Sequence, residues 1–526
     1  MRDFHLPGRS AVFATNGMCA TSHPLAAQVA IEVLKDGGNA VDAAIAGAVL
    51  LGLCEPQMTG IGGDCFVLFT PPGEDRVLAL NGSGRAPAAI SAQALRDAGH
   101  ATVSLGSADA VTVPGAIDAF CRLSQDWGRS GLAASLAPAI HYADAGIPVA
   151  PRVALDWGLF AGNLQGIARD QYLLNGAAPT TGQVFRAPGQ AEVLRRIARD
   201  GRAAFYEGEV AEDMVNSLQT AGGCHTLDDF ANTACDYTDP ISGTYGGHEL
   251  VEHPPNGHGA TAILLGNMLK HFDIAGMDPF GTERAHIEIE AAKLAYDARD
   301  RIIADPDHTS RLEHMLDPAT AEALAALVDP ARARQNVAQI TEEVHRETIY
   351  ITVVDKDRMA VSLIYSVFKD FGSGIASDKF GVLFQNRGAG FNLTPGHPNE
   401  IGPGKRPLHT IIPAMLRKDG RVVMPFGVMG GGYQPNGHIR FLSNMFDFGM
   451  DPQSAIDGPR CFFEKGDLRV ERGYSDAVRA DLAAMGHKVV VPPRPIGGAQ
   501  AITINHDTGV LEGASDPRKD GCALGY

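Results

Sequence analysis

Thr348 opens the run Thr348-Ile-Tyr-Ile-Thr-Val-Val-Asp355, whose β-branched and aromatic residues favour a strand. Asp355-Lys-Asp-Arg358 supplies a turn and Met359-Ala-Val-Ser-Leu-Ile-Tyr-Ser-Val367 a returning strand, so the two runs read as a hairpin. With Lys356 to Arg358 as the loop, Thr348 falls opposite Ser366, and directly opposed residues of an antiparallel pair lie about 4.5–5.5 Å apart. Two hydroxyls would then share one face at a strand end. Such a pair can transfer acyl groups once a base removes the hydroxyl proton, although threonine and serine are also ordinary strand residues. A second candidate is the glycine run GVMGGGY, with Gly430 and Gly431 at its centre. It contains neither GxxxxGK[ST] nor GxGxxG, which argues against a nucleotide phosphate. Without Cβ atoms its backbone N–H groups can approach a developing anion closely; a tight turn is the plainer reading, and the preferred one for Gly62-Gly63.

The elements that must hold these residues are legible as periodicities. Ser22 reads as the cap of a helix with Pro24 in its first turn and Ala26, Val29, Ala30, Val33 and Leu34 as its apolar stripe, ended by Gly37-Gly38. Asn39 starts a second, almost wholly apolar helix, which must be buried on all sides. CFVLFTPP, VLALNG and HELVEHP read as strands. Helical patterns predominate between about Ser91 and Arg346, and β-rich texture with Gly and Pro turns begins at Thr348. No low-complexity linker marks that change.

The chain has 526 residues, 45% of them hydrophobic and 20% charged, which is a globular composition. A formal charge of -17 disfavours nucleic acid and anionic membranes as partners, since both call for basic patches. The N-terminal stretch lacks the apolar core of a secretory signal, and the apolar run from Ala40 to Leu53 is interrupted by Asp42 and too short to span a bilayer. The eight cysteines are scattered without zinc spacing, so neither a metal site nor a disulfide framework is expected. A cytoplasmic protein with reduced thiols is the simplest expectation.

The stretch from Gly17 to Phe69, GMCATSHPLAAQVAIEVLKDGGNAVDAAIAGAVLLGLCEPQMTGIGGDCFVLF, resembles the γ-glutamyltransferase family, as do VPGAI, HPPNGHGA, the ADPDH stretch, TVVDKD, GKRP, GVMGGG and the terminal GASDPR and GY. These motifs follow the family's order over nearly the whole chain. The resemblance implies an α/β fold, the four-layer αββα sandwich of N-terminal-nucleophile hydrolases. It further implies self-cleavage of the Glu347–Thr348 bond. Residues 1–347 would then form a large subunit and 348–526 a small one, intertwined in one structural domain, with a homodimer of such heterodimers among the assemblies it allows. Thr348 would be the nucleophile and its freed α-amine the general base. An α-amine titrates near 7.7–8, and a peptide nitrogen has no basicity at all. By the same resemblance Ser366 takes the second hydroxyl position and Gly430 and Gly431 the oxyanion-hole position. No metal or organic cofactor is implied.

The glutamate-reading positions depart from the family. Its carboxylate-gripping arginine falls on Ser83, with Arg85 two residues later; its glutamine and aspartate pair falls on Arg387 and Gly390 of QNRGAGF; its asparagine after the second hydroxyl becomes Phe368; its Ser-Ser pair becomes His409-Thr410. A pocket that loses an acid and gains an arginine fork suits a small anionic amide without an ammonium group. Asn386, Arg387, His409, Thr410 and Arg85 are the candidate substrate contacts. NRGAGF followed by GKRPLHT looks like the oxamate amidohydrolase branch, in which oxamate yields oxalate and ammonia. The alternatives are a γ-glutamyltransferase or glutathione hydrolase, a β-lactam side-chain acylase (those usually begin the small subunit with serine), and a non-maturing binding protein without catalysis.

Overall fold

The hairpin forms in the expected register: Ile349 lies opposite Tyr365 and Val354 opposite Ala360. Asp355 closes its turn, with one carboxylate oxygen accepting from the Asp357 and Met359 amides at 2.9 and 3.1 Å. The other oxygen accepts from the Ala40 amide at 3.0 Å and ties the turn to the buried helix. The computed structural model describes residue 5 and residues 8–334 and 348–526. Glu347, and with it the expected cleavage junction, lies outside the described residues.

The hairpin is the centre of a seven-stranded antiparallel sheet. Its strands run in the order Cys522–Gly525, Met18–Thr21, Ile349–Val354, Ala360–Ser366, Asp64–Phe69, Leu78–Gly82 and Asp236–Thr238. A second seven-stranded sheet has the order Val12–Ala14, Leu511–Ser515, Gly498–Ile504, Arg421–Met429, Ala414–Lys418, His248–Glu252 and Ile241–Tyr245. Alternation along each strand sends successive side chains to opposite faces. Ile349, Ile351 and Val353 accordingly pack outward against the helices Pro24–Lys35, Ala40–Cys54, Ala116–Trp127 and Leu132–Ala145. Leu416, Phe426 and Val428 pack outward from the second sheet against Gly259–Leu269, Thr282–Ile302 and Gln434–Phe446. Met18, Leu68 and Val354 meet Met415, Ile502 and Leu511 between the sheets. The result is the four-layer αββα sandwich expected from the sequence.

Two local details sharpen the reading. All fifteen residues of Ala40–Cys54 are buried, and Asn39 and Asp42 form a reciprocal capping box. The first helix is capped by His23, not Ser22: His23 Nδ1 accepts from the Leu25 amide at 3.3 Å, while the Ser22 hydroxyl donates to Glu55. A buried carboxylate is the stronger acceptor and takes the hydroxyl away from the helix end. No helix among the described residues is long and apolar enough to cross a membrane.

Candidate active site

Carried one residue beyond Ile349–Tyr365, the hairpin register sets Thr348 opposite Ser366. On the other flank Ser366 pairs with Asp64. Thr348, Ser366 and Asp64 therefore form a row across three adjacent strands. The next row in is Tyr350, Ile364 and Phe66, which packs with Met429 and Ile411 between the two sheets. Residues two apart share a face, so the Thr348 row also faces inward, at the end of the sandwich. Thr348 is only 2% exposed. Its Oγ1 makes no hydrogen bond among the described residues.

The loop that leaves Ser366 is drawn tight. Ser366 Oγ accepts from the Phe368 amide at 2.8 Å, and both Phe368 and Phe371 have positive φ, 78° and 59°. For an aromatic residue that conformation is strained, and such strain concentrates at functional sites. Gly63 and Gly62 are more than turn residues here: a Cβ at Gly63 would strike the Ser366 carbonyl oxygen, and one at Gly62 the Leu383 carbonyl oxygen.

The Phe368 ring carries the Arg387 guanidinium, centred 4.1 Å above it. Arg387 is fully buried and donates from Nη1 to Thr410 Oγ1 at 2.9 Å. His409, the neighbour of Thr410, reaches Asp64 Oδ2 from Nε2 at 3.2 Å. Burial, and then the positive charge of Arg387, hold the His409 ring well below the usual histidine range. The ring is thus neutral and donates Nε2–H to the carboxylate. Asp64 Oδ1 accepts from the Gly84 and Gly115 amides and from Gln385 Nε2 at 2.9, 3.0 and 2.9 Å. Burial raises the Asp64 carboxyl to about 6, against the opposing pull of Arg387 and these donors. Arg387, Thr410 and His409 are thereby brought beside the Thr348 row.

Two other candidates are placed differently. Asn386 is spent on the backbone: its side chain donates to the Gly372 carbonyl at 2.7 Å and accepts from the Lys369 amide at 3.1 Å, so it braces the Ser366 loop. Arg85 donates to the Gly404 carbonyl at 3.0 Å and pairs with Asp305 at 3.4 Å. Its guanidinium joins chain segments and is committed to these two partners. Ser83, at the position of the family's arginine, is buried and donates to Asn81 Oδ1 at 2.6 Å. Asp64 and Gln385 are site residues that no motif in the sequence marks; the one signal for Asp64 is a lone acid opening the apolar strand CFVLF.

Met429 leads directly into Gly430 and Gly431, whose φ values are 126° and 54°. A Cβ at Gly430 would sit 3.0 Å from Gly497 Cα, so the turn needs glycine for both reasons. Among the described residues one trio, His286, Glu290 and His487, has metal-ligand spacing. Its donors are already committed: the two rings bond each other at 2.8 Å, and the Lys293 ammonium lies 2.6 Å from Glu290. A resident ammonium occupies the place where a cation would go, and the trio is far in sequence from the Thr348 row.

Residues 26–526 match the family described as Gamma-glutamyltranspeptidase. A glutathione hydrolase-like YwrD proenzyme of Bacillus subtilis is 35% identical, over 98% of this chain and 99% of its own. An oxamate amidohydrolase proenzyme of Klebsiella pneumoniae is 33% identical, over 98% and 99% of the two chains. Among solved structures, a cephalosporin acylase from Bacillus halodurans superposes with a TM-score of 0.92 at 36% identity, covering 100% of this chain and 99% of that one.

Proposed function

Because the chain belongs to the γ-glutamyltranspeptidase family of N-terminal-nucleophile hydrolases, enzymes that act on amide bonds, we propose that it is an autoprocessing amidohydrolase for small carboxylate-bearing amides, with oxamate as the type substrate. The observation that carries this reading is Arg387, buried on the Phe368 ring beside the Thr348–Ser366–Asp64 row. An arginine fork matches a carboxylate with two parallel donors.

In the precursor, Thr348 Oγ attacks the Glu347 carbonyl carbon. The C–N bond breaks, its nitrogen takes the Oγ proton and becomes the free Thr348 amine, and water hydrolyses the resulting ester to release the Oγ hydroxyl and the Glu347 carboxylate. Residues 1–347 and 348–526 remain together as large and small subunits. In turnover the amine takes the Oγ proton while Oγ bonds the amide carbon, and the same proton passes to the departing ammonia. Water then hydrolyses the acyl-threonine to oxalate. Ser366 holds the loop that presents the site, and the Gly430 and Gly431 amides stabilise the oxyanion. At Gly430, with φ 126° and a Cβ that would sit 3.0 Å from Gly497 Cα, Gly430→Ala should displace the amide and lower kcat about 100-fold, the usual cost of losing an oxyanion-hole donor, with little change in KM. Steady-state kinetics on a variant shown to be folded by thermal melting check this; an unchanged kcat would move the oxyanion hole elsewhere. Eight free cysteines suit a reducing compartment, and a cytoplasmic location goes with this reading.

A γ-glutamyl substrate is the second reading, because one relative is named a glutathione hydrolase-like proenzyme. Ammonia release from oxamate, measured beside hydrolysis of γ-glutamyl-p-nitroanilide, separates the two. Oxamate should be the better substrate by kcat/KM. Rapid turnover of the glutamyl compound with none of oxamate refutes the proposal.

A further inference from the structure

The Gly430–Gly431 turn is held on both flanks by side chains from outside it. Arg421–Met429 pairs with Ala414–Lys418 only as far as Phe426, opposite Ala414, so Val428 lies beyond the end of that neighbour. A buried backbone amide is costly unless something accepts from it. His438 does so: its Nε2 lies 3.3 Å from the Val428 nitrogen. An accepting Nε2 puts the ring proton on Nδ1, which donates to Glu252 Oε1 at 2.7 Å. His438 and Glu252 are both at 0% exposure, so no water competes for these bonds. On the far flank the buried Tyr296 hydroxyl donates to the Gly432 carbonyl. His438 and Tyr296 stand on Gln434–Phe446 and Thr282–Ile302, two of the helices that cover the second sheet. The turn itself closes where the Tyr433 amide donates to the Gly430 carbonyl at 3.0 Å.

The strand that leads into the turn is also keyed to the strand of the nucleophile. A Cβ at Gly427 would strike the Tyr350 ring, so that ring lies directly on the backbone three residues before Gly430. The Tyr350 and Ser362 hydroxyls bond at 2.6 Å, and Ser362 donates to the Phe426 carbonyl at 3.2 Å. Thr348 and the glycines thus share one frame, and what remains to be fixed is the direction of the turn.

We propose that Tyr296 and Glu252 are positioning residues for the oxyanion hole: Tyr296 through the Gly432 carbonyl, and Glu252 through His438 and the Val428 amide, aim the Gly430 and Gly431 amides. This inference rests on the oxyanion-hole reading of those glycines above and not on the choice of substrate. Donors stabilise an oxyanion best when they are aimed before the charge develops. Two successive glycines have the widest backbone freedom of any residues and no side chains to hold them, so their direction must be imposed from the flanks. Tyr296 and Glu252 precede Thr348, whereas the glycines and His438 follow it. After cleavage the large subunit therefore aims the oxyanion donors of the small subunit, which carries the nucleophile.

The experiment is steady-state kinetics of Tyr296→Phe, alone and combined with Gly430→Ala, on oxamate and on γ-glutamyl-p-nitroanilide, with thermal melting to show that each variant is folded. Tyr296→Phe removes one hydroxyl and leaves the ring in place. It should lower kcat about tenfold, short of the roughly 100-fold expected when an oxyanion donor is lost outright, with KM within about twofold of wild type. In the Gly430→Ala background, where the donor is already displaced, it should lower kcat by less than about twofold more, because two changes that act through one group do not add. His438 supplies an independent arm. The His438→Gln amide can accept from Val428 and donate to Glu252, so it should keep most of kcat, while His438→Leu can do neither and should lose about as much as Tyr296→Phe. A variant that does not fold in one arm leaves the other to decide. A Tyr296→Phe enzyme that melts earlier but keeps its kcat overturns the inference, as does a loss that multiplies fully with that of Gly430→Ala. Equal kcat in His438→Gln and His438→Leu overturns it as well. If Gly430→Ala leaves kcat unchanged, or wild type hydrolyses neither amide, the oxyanion-hole reading itself fails and the inference falls with it.

Discussion

Thr348→Ala should run as one full-length band on a denaturing gel and lose hydrolysis by on the order of 10⁴-fold or more, as expected when a nucleophile is removed. Both losses have one cause. The same Oγ begins the acyl shift at the junction and later attacks the substrate, and the amine that serves as base exists only after cleavage. The structure supports the first role through placement: Thr348 faces inward at the end of the row with Ser366 and Asp64, almost wholly shielded from water, its hydroxyl committed to no described neighbour. Thr348→Ser keeps the hydroxyl but loses the methyl that stiffens χ1. It should still divide into two bands and still hydrolyse substrate, each more slowly. Mass spectrometry of the small subunit checks the junction, and a chain beginning at Thr348 is the expected product. Processing at that bond in the alanine variant would remove Thr348 from the mechanism.

The parts of this site that the sequence reveals are those governed by local rules. The hairpin register follows from two β-branched runs and a turn whose aspartate folds back on the Asp357 and Met359 amides. The Ala40–Cys54 helix follows from its composition and from Asn39 and Asp42. The first helix shows where local rules end: Ser22 has the better capping chemistry, but Glu55, 33 residues away, claims its hydroxyl. Asp64 is the extreme case. Its four partners stand 20, 51, 321 and 345 residues off, and no window of sequence can join them. Arg85 and Asn386 stand near motif positions, but proximity in sequence does not fix which way a long side chain turns. Arg85 turns to Gly404 and Asp305, Asn386 to the loop after Ser366. Arg387 resembles them in sequence and differs in structure, because Phe368 and Thr410 hold its guanidinium beside the row.

That difference makes Arg387 the most informative position for substrate. Arg387→Met should weaken oxamate hydrolysis by about 100-fold or more in kcat/KM, the range of 2–5 kcal/mol typical for truncating one partner of a buried, hydrogen-bonded charge pair. Most of it should appear as a raised KM, since the carboxylate is bound equally in the ground and transition states. Arg387→Lys keeps the charge yet should recover only part of the loss. An ammonium cannot offer two parallel donors, nor lie flat on the Phe368 ring as the guanidinium does. Oxamide supplies the internal comparison: it carries no carboxylate, so both variants should hydrolyse it within a few-fold of wild type. Equal losses on oxamate and oxamide would show that Arg387 shapes the loop and does not read charge. An unchanged KM for oxamate in Arg387→Met would exclude it from the binding site altogether. The anionic end of the substrate would then have to be held by another cation, and Arg85, already partnered by Asp305 and the Gly404 carbonyl, would need to turn away from both to supply it.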